Sequence, residues 1–431
     1  MSVDGLKVLE ASTLEQRLQV LSREIGAAKR RGDDPSGLIA QHQALQEQLR
    51  REQPPPPERI GPAVPTLRVI SSPQELQALQ PQYDALLEAS TAVSPFLLLE
   101  WLLPWYDHFG RDYDVHAAVV EHEDRLLAAA MLMVGEEKRL GRQPVARFLG
   151  TGPGLRGNYF SFVMDPKTPD ATGLLRAHVR ELLDQGRLLH LEHLSPYADG
   201  RDTLAMLASE PDQELLIRGE SGCVRGSLPD RYSEFVRSVP SPQRRNKLRC
   251  GDDRVCRHQG SLTYADCAGA EEVSQHLDLL RQFSAERRER EGIESTWCDD
   301  TNHSCRTEAA RRMLQRGALR LESIVCGPDE IGALAGFVFK NRYFCYNMGF
   351  NQSFARYEPG HLLVARRIKA SIEEGLREFD FLVGDAQYKR QYFRDVTPEL
   401  QVTALPHKGR ARLAETVRLL ARSLRRAAVK T

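Results

Sequence analysis

The segment from Tyr343 to Phe393 changes its hydrophobic period twice, and few arrangements of backbone accommodate both changes. Tyr343 to Phe350 is aromatic and apolar, as a buried strand is, and runs into Asn351, Gln352 and Ser353, whose side chains favour turns by bonding local backbone. Beyond Pro359 and Gly360 the apolar residues Leu362, Leu363, Ala365, Ile368, Ala370 and Ile372 fall at helical spacing. Gly375 fits a helix stop, after which Phe379, Phe381 and Val383 alternate with Asp380 and Leu382 as a second strand. Pro359 pre-sets the first turn, Gly360 leaves room for a ligand to approach the backbone, and free N–H groups at about residues 358 to 362 favour an anion. The segment reads as strand, helix, strand with a phosphate or pyrophosphate cradle at the helix start. An ordinary crossover without a ligand produces the same pattern.

The remaining composition narrows the function classes. A chain of 431 residues is long enough for two or three domains with a buried core. Lys plus Arg equals Asp plus Glu, 59 against 59, so no global field points to nucleic acid or membrane. The 8 cysteines lack CxxC pairs or matching histidine spacing, which supports neither a metal site nor a disulfide framework. No apolar run approaches the roughly 20 residues of a membrane span, and no signal-peptide layout opens the chain. The expectation is a soluble, cytoplasmic protein without a transmembrane segment.

Along the chain, Leu14, Leu18, Leu21, Ile25 and Ala28, then Leu38, His42, Leu45 and Leu49, step by four and three around a turn at Gly32 to Gly37. Residues 1–53 are therefore expected to form an antiparallel helical hairpin, a coiled coil. Pro54 to Pro57 begin a stiff linker over 54–66. From 67 to 228, strand-like segments at 115–120, 125–134, 145–149, 159–164 and 188–194 alternate with helical ones at 72–89, 94–109 and 170–185. The same rhythm returns over 229–405, so the chain reads as a duplicated α/β module. Leu413, Val417, Leu420, Leu424 and Val429 mark a basic amphipathic C-terminal helix over 406–431, which packs on the body or attaches peripherally to an anionic surface such as the inner membrane.

Five segments carry a family resemblance. They are SPFLLLEWLLPWYDHFG (Ser94 to Gly110), RFLGTGPGLRGNYFSFV (Arg147 to Val163), RRNKLRCGDDRVCRHQG (Arg244 to Gly260), YNMGFNQSFARYEPGHLLVARRI (Tyr346 to Ile368) and FDFLVGDAQYKRQYF (Phe379 to Phe393). In that order they resemble the GNAT acyltransferase superfamily, in the branch found with bacterial exopolysaccharide and cellulose biosynthesis and related to the Fem-type peptidoglycan aminoacyltransferases. The hairpin resembles the helical arm of seryl-tRNA synthetases, a role in dimerisation or docking of a protein partner being the plainer reading. The resemblance implies an α/β fold of tandem duplicated GNAT-like modules with mixed sheets. It also implies acyl-CoA as co-substrate, no metal, and an amine acceptor that is a small molecule or a glycan precursor. The family's pyrophosphate motif, Gln or Arg, two residues, Gly, one residue, then Gly or Ala, is altered here: Arg356 is followed by Tyr357, Glu358, Pro359, Gly360 and His361. Aminoacyl-tRNA, which Fem-type relatives use, therefore stays open as the donor, and so does a non-catalytic binding protein on the same fold.

An amine attacking a thioester must be uncharged, so a proton acceptor is needed, and Glu358, His361 and Asp385 are the titratable residues nearest the expected cleft. Glu358 also suits a helix N-terminus as a favourable acid, His361 an amphipathic surface, and Asp385 a bond to its own turn. Lys389 matches the lysine of the family's closing motif and is expected near the reacting carbonyl or a phosphate; Tyr388 could donate to a leaving thiolate. Tyr357, Gly360 and His361 at the helix start, with Arg244, Arg245 and Lys247 from the basic run, are the expected donor-binding residues. Phe344, Tyr346 and Met348 are expected in the core.

Overall fold

The computed structural model describes residues 25, 28, 36–52, 64–139, 141–152, 154–210, 212–250, 262–266, 269–292, 296–406 and 412. The chain divides into two compact units, Met1–Gly61 and Pro62–Thr431. In the first, the predicted second arm of the hairpin is a helix, α1 (Ser36–Glu52). Of the predicted first arm only Ile25 and Ala28 are described, both helical. The turn at Gly32 to Asp34, the Pro54 to Pro57 spacer and the stripe from Leu413 to Val429 lie outside the described residues.

The second unit is built on one mixed sheet of 13 strands. In its first half β1 (Thr66–Ile70), β2 (Tyr113–His122), β3 (Arg125–Arg139) and β4 (Gly141–Phe148) form an antiparallel meander, short β5 (Val163–Met164) pairs with β3, and β6 (Leu188–Leu194) lies parallel to β4. Helices α2 (Pro73–Ala78), α3 (Gln80–Ala89), α4 (Leu99–Phe109), α5 (Pro169–Asp184) and α6 (Ala198–Ala208) belong to this half. The second half repeats the plan: β8 (Leu262–Asp266), β9 (Leu319–Cys326), β10 (Asp329–Phe339) and β11 (Arg342–Phe350) form a meander, and β12 (Glu378–Val383) runs parallel to β11. Its helices are α7 (Tyr232–Ser238), α8 (Pro242–Cys250), α9 (Ala270–Glu291), α10 (Asp300–Gln315), α11 (Pro359–Glu373) and α12 (Gln387–Arg390). The repeated topology is the predicted tandem α/β duplication.

The halves are joined by exchanging their last strands. β7 (Leu215–Ser227) ends the first half in sequence yet pairs with β12, whereas β13 (Asp395–Ala404) ends the second half yet pairs with β6. The two also pair with each other, so the centre of the sheet runs β6, β13, β7, β12. A cationic clamp holds this junction. His193 of β6 directs Nδ1 to Glu220 of β7 and Glu399 of β13, each at 3.0 Å. Burial opposes its charge, but the two carboxylates push its pKa up to about 10.

A large apolar core covers one face of the sheet, where α10 packs along α4 and so binds the halves a second time. A smaller core on the other face gathers α7, α11, β12 and the aromatic residues Tyr392 and Phe393. Helix α11 starts and stops as its punctuation predicts, with Pro359 in the first turn and Gly375 at φ +78° just past the end.

Candidate active site

Each half contains a fork where its parallel strands part, and the two forks differ. In the first half β4 and β6 are paired through Val145, Ala146 and Arg147 only. Beyond that point the chain's own Phe160 fills the gap: its N–H donates to His193 O and its carbonyl accepts from Ser195 N, both at 2.8 Å. Its ring stacks on Phe148. In the second half β11 and β12 are paired through Arg342, Tyr343 and Phe344 only, after which β11 runs to Phe350 along β10, while β12, paired with β7 from Glu378, meets it again at Val383. No described segment bridges these strands beyond Phe344. Leu382, at φ +54°, marks the local bend of β12.

A bulge sits at the mouth of this second fork. The register of β11 on β10 jumps from Asn347 opposite Ala335 to Cys345 opposite Gly336, so Tyr346 has no cross-strand partner. Its ring is surrounded by Phe96, Trp101, Trp297 and Phe337 with centroids 5.3 to 5.9 Å away, so the first half, through Phe96 and Trp101, walls the second half's fork. At the vertex is Asp380, fully buried. It accepts from Tyr159 OH at 2.9 Å, Tyr197 OH at 2.6 Å and Leu382 N at 2.6 Å. Burial raises its pKa to about 6 against the lowering effect of those donors. Tyr197 also bonds Glu378, and Arg225 stacks on its ring at 3.9 Å.

The residues singled out from sequence fall into separate groups around this fork. Glu358 caps α11 in a left-handed conformation, φ +56° and ψ +53°, and takes Lys247 Nζ at 2.6 and 2.7 Å with Arg244 at 3.7 Å. Partial burial raises its proton affinity, but Lys247 and Arg244 overcome that and hold its carboxyl below the ordinary value. His361 accepts from Arg244 at Nε2, 2.6 Å, since a guanidinium only donates; its Nδ1–H therefore faces Tyr392 OH at 2.7 Å. Burial and then Arg244 depress its pKa to about 4. Both ring nitrogens are in use, which leaves no free base. Arg244 further bonds Gln391, and Arg245 donates to Val239 O at 2.7 Å. Asp385 is exposed and paired with Arg390 at 2.7 Å, out of contact with Glu358. Lys389 is buried and donates to Phe381 O and Val383 O at 2.9 and 2.8 Å; burial lowers its pKa. Tyr388 packs edge-on against Phe381 and His361, and burial raises its pKa. Tyr357 lies beneath the Arg356 guanidinium at 4.6 Å.

Three expectations need correction. The amide protons at the start of α11 are mostly committed: Glu358 N donates to Ala355 O, His361 N and Leu362 N to Glu358 O, and Pro359 has no N–H. The room beside Gly360 is not ligand space, because a Cβ there would lie 3.0 Å from Met348 Cε; the glycine seats α11 on β11. The basic run is an internal brace, with Arg244, Arg245 and Lys247 all donating within the protein. Asp380, which the sequence pattern shows only as a residue alternating with Phe379 and Phe381, was not among the expected site residues. An acid inside an otherwise apolar strand was the available signal, since a strand covered on both faces must give such a group partners.

With this geometry established, comparison with known proteins places it. Residues 242–390 match the acetyltransferase (GNAT) domain family. The match spans α8 to α12 and so contains the open fork, the bulge and α11. Among solved structures, FemX superposes with a TM-score of 0.54 at 11% identity, covering 78% of this chain and 96% of that one. A conserved protein from Bacteroides thetaiotaomicron superposes at 0.51 and 11% identity over 79% and 100%. These likenesses establish the fold. No curated protein matches the chain in sequence.

Proposed function

We propose that the protein is an N-acyltransferase that moves an acyl group, acetyl first among them, from acyl-CoA to an amine. The observation that carries this reading is the unbridged fork between β11 and β12, with the bulge at Tyr346 at its mouth, inside the segment matching the acetyltransferase model. An extended thioester arm laid between parting strands would find backbone donors that the ladder no longer uses, and the bulge supplies one where the carbonyl oxygen gains charge. The amine nitrogen bonds to the carbonyl carbon, the carbon–sulfur bond breaks, the departing thiolate takes a proton, and the amine gives one up. Asp380, with its proton affinity near neutrality and its bonds to Tyr159 and Tyr197, is the group best suited to receive that proton through a tyrosine hydroxyl.

The filled first fork supports placing the donor in the second half alone. The acceptor is proposed to be an amino sugar or another amine of an envelope or polysaccharide precursor, on the family resemblance described above. No helix among the described residues is long and apolar enough to cross a membrane. Calorimetry with acetyl-CoA tests the donor: micromolar binding, with thiol release on adding an amine, is expected. A second reading, aminoacyl transfer from tRNA, is favoured by the exposed Arg249 on basic α8 and predicts heat with bulk tRNA and none with any acyl-CoA.

A further inference from the structure

The second unit buries arginines at four described positions, and Arg306 is the exception among them. Arg147 pairs with Glu137 and Glu192, Arg244 with Glu358, and Arg367 with Glu322 and Glu374. Arg306, on α10, is 2% exposed and pairs with no carboxylate among the described residues. Its Nη1 is buried without a hydrogen-bond partner, its Nε reaches Tyr346 OH only at 3.4 Å, and its guanidinium carbon sits 3.6 Å from the centre of the Trp297 ring. One helical turn earlier, on the same face of α10, Asn302 is also buried with Oδ1 unpartnered. A guanidinium taken out of water without a counter-charge is destabilising unless something else supplies that charge. Arg306 thus meets the hydroxyl of Tyr346, whose backbone forms the bulge of the open fork, and Asn302 lies one turn away on the same helix.

We infer that Arg306 and Trp297 form the recognition point for a carboxylate carried by the acceptor amine. The inference deepens the proposed acyl transfer and rests on it for the position of the fork. A single negative charge balances the single cation, whereas the double charge of a phosphate would be left partly unmatched among Trp297, Tyr346 and Trp101. The free Nη edge suits a planar carboxylate, with Trp297 covering one guanidinium face and Tyr346 taking Nε. Asn302 Oδ1 then accepts an N–H or O–H of the same ligand.

Thermal unfolding of the full chain with three sets of probes tests this: amino acids, their matched carboxamides, and inorganic phosphate, with acetyl-CoA run separately. Amino acids should raise the wild-type midpoint and the carboxamides and phosphate should not. Arg306→Met should abolish that response while melting, without ligand, at or above wild type; Arg306→Lys should keep the fold and weaken the response. Arg367→Met is the contrast, because it strands Glu322 and should melt far below. Arg306→Met melting as low as Arg367→Met would make the arginine a structural brace and overturn the inference. So would a wild type that fails to distinguish acids from amides, or one that responds to phosphate. Response to amino acids with none to acetyl-CoA would sink the donor reading alone, and the reverse would sink this inference alone.

Discussion

His193→Gln removes the cation from the junction of β6, β7 and β13, and the expected cost follows from the clamp's geometry. The imidazole pKa is pushed up to about 10 in the folded protein, against the 6.5 of an ordinary histidine. A raised folded pKa means stability that is fully present below about pH 6.5 and lost as the pH rises through 10. At pH 7 the gap amounts to about 4 kcal/mol as an upper bound. Glu399 is fully buried, so deleting its cation leaves an uncompensated charge, for which about 3 to 5 kcal/mol is typical. Urea unfolding at pH 7 and pH 10 should show wild type losing stability across that interval and His193→Gln, already weaker at pH 7, losing much less. His193→Gln with Glu399→Gln should recover part of the deficit, since the stranded charge is gone. Lys, Tyr and Cys also titrate near pH 10, so the decisive quantity is the difference between the two proteins. Parallel losses would refute the clamp.

Glu358→Gln should act in opposite directions on two measurements. Loss of the acid at the helix start should lower stability in urea unfolding by about 0.3 to 1 kcal/mol, whereas freeing Lys247 and Arg244 should let calorimetry find CoA binding roughly two- to five-fold tighter; weaker binding would mean the carboxylate itself contacts the ligand. Lys389→Met leaves the carbonyls of Phe381 and Val383 without their donor and should cost about 2 to 4 kcal/mol in urea unfolding, and a variant as stable as wild type would exclude its role as a strand brace. Turnover should rise with a midpoint near pH 6 as Asp380 ionises, and Asp380→Asn should lose that limb; an unchanged profile would assign the proton elsewhere.

Local pattern was enough to place β2, β3, β4 and β6, the helix from Pro359 and the strand at Phe379, because period, proline and glycine act within a few residues. It missed β1, β7 and β13, and read a strand over 159–164 where only Val163–Met164 form one. LLIRGESGCVRGS and DVTPELQVTA carry glycine, charge and Pro398, which argue against central strands, yet both lie mid-sheet. Their neighbours are more than 150 residues away, in the opposite half, and pairing on both edges outweighs weak propensity. The site was legible to the same depth. Sequence located the strand, helix, strand segment that matches the acetyltransferase model and named the residues around it. It could not tell that Gly360 seats Met348, that Lys389 braces two carbonyls, or that the basic run is spent on Glu358, His361 and Gln391, since each depends on which side chain arrives from elsewhere.

The sequence by itself determined the α/β class, the duplication and the place of the strand, helix, strand crossover, all of which follow from short-range backbone preference and side-chain period. Only the tertiary structure decided that the halves trade their closing strands, that one fork is filled and the other open, and that Asp380 and Arg306 are buried. Those outcomes depend on desolvation and long-range pairing, which no local pattern encodes.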